Sequence, residues 1–282
     1  PLRVAVGPLY VVATPIGNLG DLSPRAREVL ASVDLVAGET EASTRRLLSA
    51  LGLSRRTALY QERNREWAGE RLVAQLLEGG SIALVSDGGT PGLSDPGRDL
   101  VARCHRSGIP VRAIPGPSAL TAALSVCGLP ARRIAFEGFL PRKRSERRTF
   151  LEGLRQEPRT LVLFESPARL REALEDLRDV LGDRSACLAR ELTKLHEEVR
   201  ADSLTGLLEC LTEPRGECCL VVEGAPPVRE EPDYAEQARQ LVAMGLGART
   251  AARVLQLFTP LPRKEAYRLC LALAKGGRKE VP

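Results

Sequence analysis

The amino-acid sequence predicts two α/β domains in series and a small helical segment after them. Three features carry that expectation. Short apolar runs of strand type alternate with helical patterns, the arrangement of a largely parallel sheet. The stretch Pro115-Gly-Pro-Ser118 interrupts the alternation, because neither proline continues a sheet ladder and each restricts the residue before it. After Gly224-Ala-Pro-Pro227 the strand signal stops. The boundaries follow as 1–116, 117–227 and 228–282, and 282 residues suit two domains of about 100–200 residues each.

In the first domain Leu9–Ala13, Leu35–Ala37, Ile82–Ser86 and Val111–Ile114 read as buried strands, with helices beginning near Pro24, Thr44, Trp67 and Pro96. The second repeats the pattern with Ile134–Glu137, Leu161–Phe164, Cys187–Ala189 and Cys218–Val222, and with helices from about Glu146, Ala168 and Ser203. Residues 233–275 read as three short helices, Tyr234–Ala243, Ala248–Leu257 and Arg263–Ala274, broken by glycines and prolines between them. Two of these around a tight turn fit a helix-turn-helix or, equally, a plain helical cap.

Composition excludes several classes. Hydrophobic residues make up 43% and charged residues 27%, an ordinary globular balance far from that of a disordered chain. No apolar run approaches the roughly 20 residues of a membrane span, and no signal peptide opens the chain, so a cytoplasmic protein without a membrane partner is expected. Seven cysteines without CxxC spacing, and His105 and His196 as the only histidines, leave no metal site and little material for a Ser-His-Asp triad. The net charge is +5, with ten Lys and Arg against six Asp and Glu in residues 228–282. A second concentration places Arg142, Lys143, Arg144, Arg147 and Arg148 around Glu146, which reads as a solvated face or as a nucleic-acid contact.

Two glycine-bearing loops follow buried strands. Ala13-Thr-Pro-Ile-Gly-Asn-Leu-Gly-Asp21 opens towards a helix, where α/β folds bind nucleotide-like ligands, yet it is neither the dinucleotide fingerprint nor a P-loop. Ser86-Asp-Gly-Gly-Thr-Pro-Gly-Leu-Ser-Asp-Pro-Gly97 holds four glycines and two prolines in twelve residues. Its backbone can approach a ligand without Cβ obstruction, while Asp87 and Thr90 offer polar contacts. Pro115-Gly-Pro-Ser-Ala119 lies where the two domains face each other. Phe136-Glu-Gly-Phe-Leu-Pro-Arg-Lys143 and Ala189-Arg-Glu-Leu-Thr-Lys-Leu-His-Glu-Glu198 follow strands of the second domain, on the rim that open α/β sheets use for chemistry. On that rim Glu191 is expected to accept a proton and Lys194 to orient a substrate or steady a developing oxyanion; an ion pair that merely supports the loop is the equal alternative.

These five strings together resemble the ribosomal RNA small subunit methyltransferase I family, of the tetrapyrrole methylase-like class, over about Leu9 to Gly224. The resemblance implies two α/β domains of the tetrapyrrole methylase type with S-adenosylmethionine in the cleft between them. It also implies a homodimer and methyl transfer to the ribose 2′-oxygen of a decoding-region cytidine in bacterial 16S rRNA, within the small ribosomal subunit. By similarity the cofactor would touch Pro15, Gly17, Asp87, Gly88, Gly89, Thr90, Pro91, Ser118, Ala119, Phe164, Ser166, Leu192, Gly224 and Ala225. Asn18, Glu39 and the basic cluster at 142–148 fall on the RNA side. Three segments depart from the family pattern: Glu39-Thr-Glu-Ala42 for E-D-T-R, Gln61-Glu-Arg-Asn64 for H-E-H-N, and Pro167-Ala-Arg169 for P-H-R. A tetrapyrrole-precursor methylase on the same fold and a non-catalytic RNA- or ribosome-binding relative are the rival readings.

Overall fold

The computed structural model describes residues 5–212, 216–226 and 234–276. Its first lobe is a five-stranded sheet built from β1 (Leu9–Val12), β2 (Leu35–Gly38), β3 (Arg56–Leu59), β4 (Ile82–Val85) and β5 (Val111–Ile114), in the order β3-β2-β4-β1-β5. Every pairing is parallel. Helices α1 (Pro24–Ser32), α2 (Glu41–Ala50), α3 (Arg65–Leu77) and α4 (Arg98–Arg106) make the crossovers. Two have the start their sequence encodes: Ser23 caps α1 ahead of Pro24, and Thr40 caps α2 by accepting from the Ser43 amide.

Parallel sheets are covered on both faces, and this one divides its side chains accordingly. Leu9, Ala37, Ile82 and Leu84 pack with Leu72, Leu76 and Leu100 on one face, while Val12, Val36, Ala83 and Val85 pack with Leu30 and Leu48 on the other. The connection from β1 runs to β2 on one side and that from β4 runs to β5 on the other, so the chain changes direction between β1 and β4. That is the position where open sheets leave a crevice at their strand ends. Strand β3 is absent from the sequence expectation: it is a short, half-exposed edge with a leading arginine and no apolar run.

The second lobe starts with α5 (Ala119–Val126) and carries β6 (Ile134–Phe139), α6 (Arg144–Gly153), β7 (Thr160–Glu165), α7 (Leu170–Leu181), β8 (Ser185–Arg190), β9 (Glu198–Ser203), α8 (Leu204–Cys210) and β10 (Cys218–Val222). Its order is β6-β7-β10-β8-β9, and only β6 and β7 run parallel. One face packs α6, α7 and α8; the other holds Val162, Cys187, Ala189, Cys219 and Val221 against α5, with Ile16 of the first lobe joining the cluster. Strand β9 also goes beyond the expectation, its polar sequence pairing antiparallel with β8. Both lobes belong to one compact unit, Pro1–Pro226.

Residues Pro227–Pro282 form a second unit. Helices α9 (Ala235–Ala243), α10 (Ala248–Phe258) and α11 (Arg263–Gly276) close around Ala238, Ala251, Ala252, Leu255, Ala266 and Cys270. Of the 228–282 segment, residues 228–233 and 277–282 lie outside the described residues. No described helix is long and apolar enough to cross a membrane.

The basic cluster corrects one expectation. Arg147 is wholly buried and donates from Nε to Asp176 Oδ2 at 2.8 Å, so it is not a phosphate contact. Arg144 and Arg148 donate to the other oxygen of the same carboxylate at 3.1 Å each. Burial pulls Asp176 upward, but three guanidinium hydrogen bonds outweigh it and hold the carboxyl below its ordinary range. The reason is periodicity: Arg147 shares a helix face with the buried Leu151, and Asp176 sits among buried Ala173, Leu177 and Val180 of α7.

Candidate active site

The loops after β1 and β4 are sewn together by main-chain atoms. Thr14 donates to the Gly89 carbonyl at 2.8 Å and Gly89 returns the bond at 3.0 Å. Gly89 has φ of +89°, and a Cβ there would meet Ile16 Cγ2 at 3.4 Å, so glycine is what lets this loop turn against its neighbour. Thr90 Oγ1 then donates to the Pro117 carbonyl at 3.2 Å, tying the loop to the segment between the lobes.

Between this edge and the second lobe lies a cavity of about 340 Å³, within the ordinary range for small-molecule sites. Gly88, Gly89, Thr90, Ser118, Ala119, Phe164, Ser166 and Leu192, all expected from sequence, line it. Phe164 stands edge-on to Phe136 at 5.0 Å and to Phe139 at 5.7 Å, giving the second lobe an aromatic wall. Pro15, Gly17, Asp87 and Pro91 flank this cavity without lining it. Asp87 instead accepts from the Thr40 amide and hydroxyl at 3.2 and 2.9 Å, fastening the β4 loop to the end of β2.

Gly224 and Ala225 are a further correction. Strand β10 runs antiparallel to β7, so Cys218 pairs with Glu165 at the cleft end and Val222 pairs with Leu161 near the opposite end. Ala225 donates to the Glu157 carbonyl there, and the strand rise of roughly 3.3 Å per residue carries this turn ~20 Å from the cavity end. The residues at the cleft are those that precede and begin β10, Glu217, Cys218 and Cys219. Sequence reasoning missed them because strand direction is not encoded in an apolar run. Burial raises the Cys218 thiol to about 11 and the Cys219 thiol to about 12.

Glu191 and Lys194 form the ion pair of the alternative reading. Lys194 Nζ donates to Glu191 Oε1 at 2.8 Å, that bond holds the Glu191 carboxyl below its ordinary range, and neither residue lines the cavity. A carboxylate kept ionised by an ammonium is a weak proton acceptor. The pair shapes the loop after β8, where Glu191 and Thr193 have φ of +50° and +68°. Lys194 lies across Gly17, where a Cβ would meet its Cγ at 2.3 Å, and Leu192 between the pair is directed to the cavity.

Several acidic groups that the sequence does not mark as a set gather at the cleft. Glu165, a residue of the cavity wall, is 1% exposed; its Oε1 accepts from the Ser166 amide at 2.6 Å and pairs with Arg169 at 2.5 Å, while Oε2 is itself buried and has no partner among the described residues. Asp95 lines the cavity and also an open groove shared with Glu39, Gln61, Glu62 and Arg63. Burial, reinforced by the charges of Glu39, Asp87 and Glu217, pushes Asp95 up to about 6. Glu39 is raised in turn by burial and by Asp87. Of the remaining RNA-side expectations, Asn18 caps a 3-10 turn by accepting from the Gly20 amide, and Arg142, Lys143 and Arg144 are exposed where α6 begins, close after the cavity residue Phe139.

A family model of tetrapyrrole (corrin/porphyrin) methylases matches residues 8–208. A Synechocystis protein described as ribosomal RNA small subunit methyltransferase I is 46% identical over 280 residues, 96% of this chain and 100% of its own. A solved uroporphyrin-III-C-methyltransferase from Thermus thermophilus aligns at a TM-score of 0.52 and 26% identity, covering 77% of this chain and 94% of its own. A diphthine synthase structure aligns at 0.62 over 93% of this chain and 100% of its own, and at 18% identity it speaks for the fold alone. The cleft between two unlike sheets, the glycine loop at its edge and these likenesses agree: the chain belongs to the tetrapyrrole methylase family and, within it, to the ribosomal RNA small subunit methyltransferase I family.

Proposed function

We propose that the protein transfers a methyl group from S-adenosylmethionine to rRNA of the small ribosomal subunit, at the ribose 2′-oxygen of a cytidine in the decoding region of 16S rRNA. The observation that carries this reading is the adjacency of two sites, a mainly apolar cavity and a more open groove lined by acceptors. The cavity suits the cofactor on two counts: glycine backbone at its edge and an aromatic wall for a flat base. When bound, the cofactor supplies an electrophilic methyl on a cationic sulfur.

The protein's own share is positioning. The Thr14–Gly89 bridge and the Thr90 bond to Pro117 hold the loop rigid, and Leu192, Phe139 and Phe164 keep water from the reacting atoms. In the groove, Glu39, Gln61 and Glu62 present acceptors that suit a ribose hydroxyl and the exocyclic amine of cytosine in a nucleotide turned out of its stack. The same acids disfavour a tetrapyrrole precursor bearing several carboxylates. Arg142, Lys143 and Arg144 supply phosphate contacts beside the cleft.

The test is transfer of labelled methyl to unmethylated small subunits, followed by alkaline hydrolysis of the isolated rRNA. A 2′-O-methyl blocks cleavage at its own linkage, so label in an alkali-resistant dinucleotide is expected. Label recovered only in mononucleotides, or none, would overturn the assignment. Sedimentation of the pure protein tests the homodimer expected of the family.

A further inference from the structure

The positive charge of this chain is not spread evenly. Residues 1–226 carry 31 lysines and arginines against 30 aspartates and glutamates, whereas residues 234–276, in the helical unit, carry seven against two. Three short helices thus hold a charge of +5, the net charge of the whole chain. The methyl transfer proposed above gives them no task.

Two of the helices turn their cations away from the small core. In α10 Ala251, Ala252 and Leu255 are buried, while Arg249 and Arg253, one turn apart, are exposed. In α11 Ala266 and Cys270 are buried, while Lys264 and Arg268 repeat the spacing on the exposed side. Like charges four residues apart destabilise a helix, where opposite charges would stabilise it. Exposed faces elsewhere follow the stabilising rule: Glu41 pairs with Arg45 in α2 at 2.5 Å, and Asp99 with Arg103 in α4 at 2.6 Å. α10 and α11 hold one acid, Glu265, and among the described residues Arg249, Arg253, Lys264 and Arg268 have no ion-pair partner. Arg249, Arg263 and Lys264 also stand in the first turns of their helices, where the macrodipole disfavours a cation and favours a phosphate. A polyanion lying along these faces would relieve both costs.

We propose that the helical unit is an RNA-holding module, in which Arg249 and Arg253 of α10 and Lys264 and Arg268 of α11 grip the phosphate backbone of small-subunit rRNA. This rests on the reading above that small-subunit rRNA is the substrate. Four unpaired cations on helices suit phosphates, which repeat along a strand and carry no sequence information. The module supplies affinity and orientation and leaves the choice of nucleotide to other residues. A second copy of the chain fits this surface poorly, because an isologous contact sets the same cations against themselves. That rival would have to rest on Leu257 and Phe258, 78% and 82% exposed at the end of α10.

Binding of the full chain to unmethylated small subunits, measured between about 50 and 200 mM salt, tests the module alongside transfer of labelled methyl. Two double variants are compared, Arg249→Gln with Arg253→Gln and Lys264→Gln with Arg268→Gln. They lie on different helices, so a folding defect in one leaves the other to decide. Each should flatten the plot of log affinity against log salt by about 1.4–1.8, from roughly 0.7–0.9 for each phosphate released. Each should also raise KM for small subunits while kcat and cofactor affinity stay at wild-type values. Unchanged slopes in both variants, with methylation intact, would overturn the module alone. A dimer that Phe258→Ser dissociates, with both slopes unchanged, would give the face to a second copy instead. A wild type that neither binds nor methylates small subunits overturns the substrate reading, and the module with it.

Discussion

Asp176 and Asp95 are acids of the same chain in opposite circumstances. Asp176, buried between α6 and α7, receives hydrogen bonds from three arginines and is held ionised. Asp95, at the cleft, is pushed towards its protonated form first by burial and then by the charges of Glu39, Asp87 and Glu217. The first arrangement satisfies a buried charge with donors and belongs to the fold. The second crowds carboxylates together without a cation among them, as a site that takes its donors from a ligand would.

The comparison breaks most sharply at Asp176. Asp176→Ala strands the buried Arg147 and should cost about 3–5 kcal/mol in chemical unfolding, while leaving the cofactor affinity of the folded fraction unchanged. A loss under ~1 kcal/mol would remove the cluster from the structural side.

At Asp95 the sign is reversed. Its carboxyl is raised in the fold, so the native state binds the proton more tightly than the unfolded chain, and ionisation above about 6 is a penalty that is absent below about 4. Asp95→Asn should therefore stabilise the protein at pH 7 by roughly 1–3 kcal/mol, from a shift of about two units at ~1.4 kcal/mol each. The gain should vanish in melts at pH 4; a gain equal at both pH values would rule out titration as its source.

Glu165→Gln keeps shape and hydrogen-bond acceptance but removes charge, and should weaken S-adenosylmethionine binding about 10-fold, or ~1.4 kcal/mol. Undiminished affinity by calorimetry would show that Oε2 has no ligand donor. The smallest effect belongs to the exposed cations. Replacing Arg142 and Lys143 with glutamine should flatten the salt dependence of RNA binding by roughly 0.7–0.9 log units for each phosphate no longer neutralised. An unchanged slope would return them to a solvated face.

The same contrast explains what the sequence made legible. β1, β2 and β4 are visible because strands covered on both faces read as apolar runs, β5 because Val111 and Ile114 frame an edge strand that is otherwise exposed, and the glycine loop because few structures need such a density of special residues. Edge strands β3 and β9 were hidden by their polar composition. The direction of β10 is not written in its apolar run, so Glu217 at its cleft end goes unmarked, while Gly224 and Ala225, expected at the cofactor by resemblance, follow the other end of the strand. The burial of Arg147 is encoded only in its four-residue spacing from Leu151, a helical periodicity that the surrounding run of cations masks.

Cys218 and Cys219 line the cavity, their thiols raised to about 11 and about 12. A thiolate is among the strongest nucleophiles a protein carries, and an electrophilic methyl held beside one would alkylate the protein itself. At neutral pH these sulfurs are ionised in no more than roughly one molecule in 10⁴. These two sulfurs are thus chemically mute, soft and polarisable enough to pack against a sulfur-bearing guest, yet protonated enough not to intercept what that guest delivers.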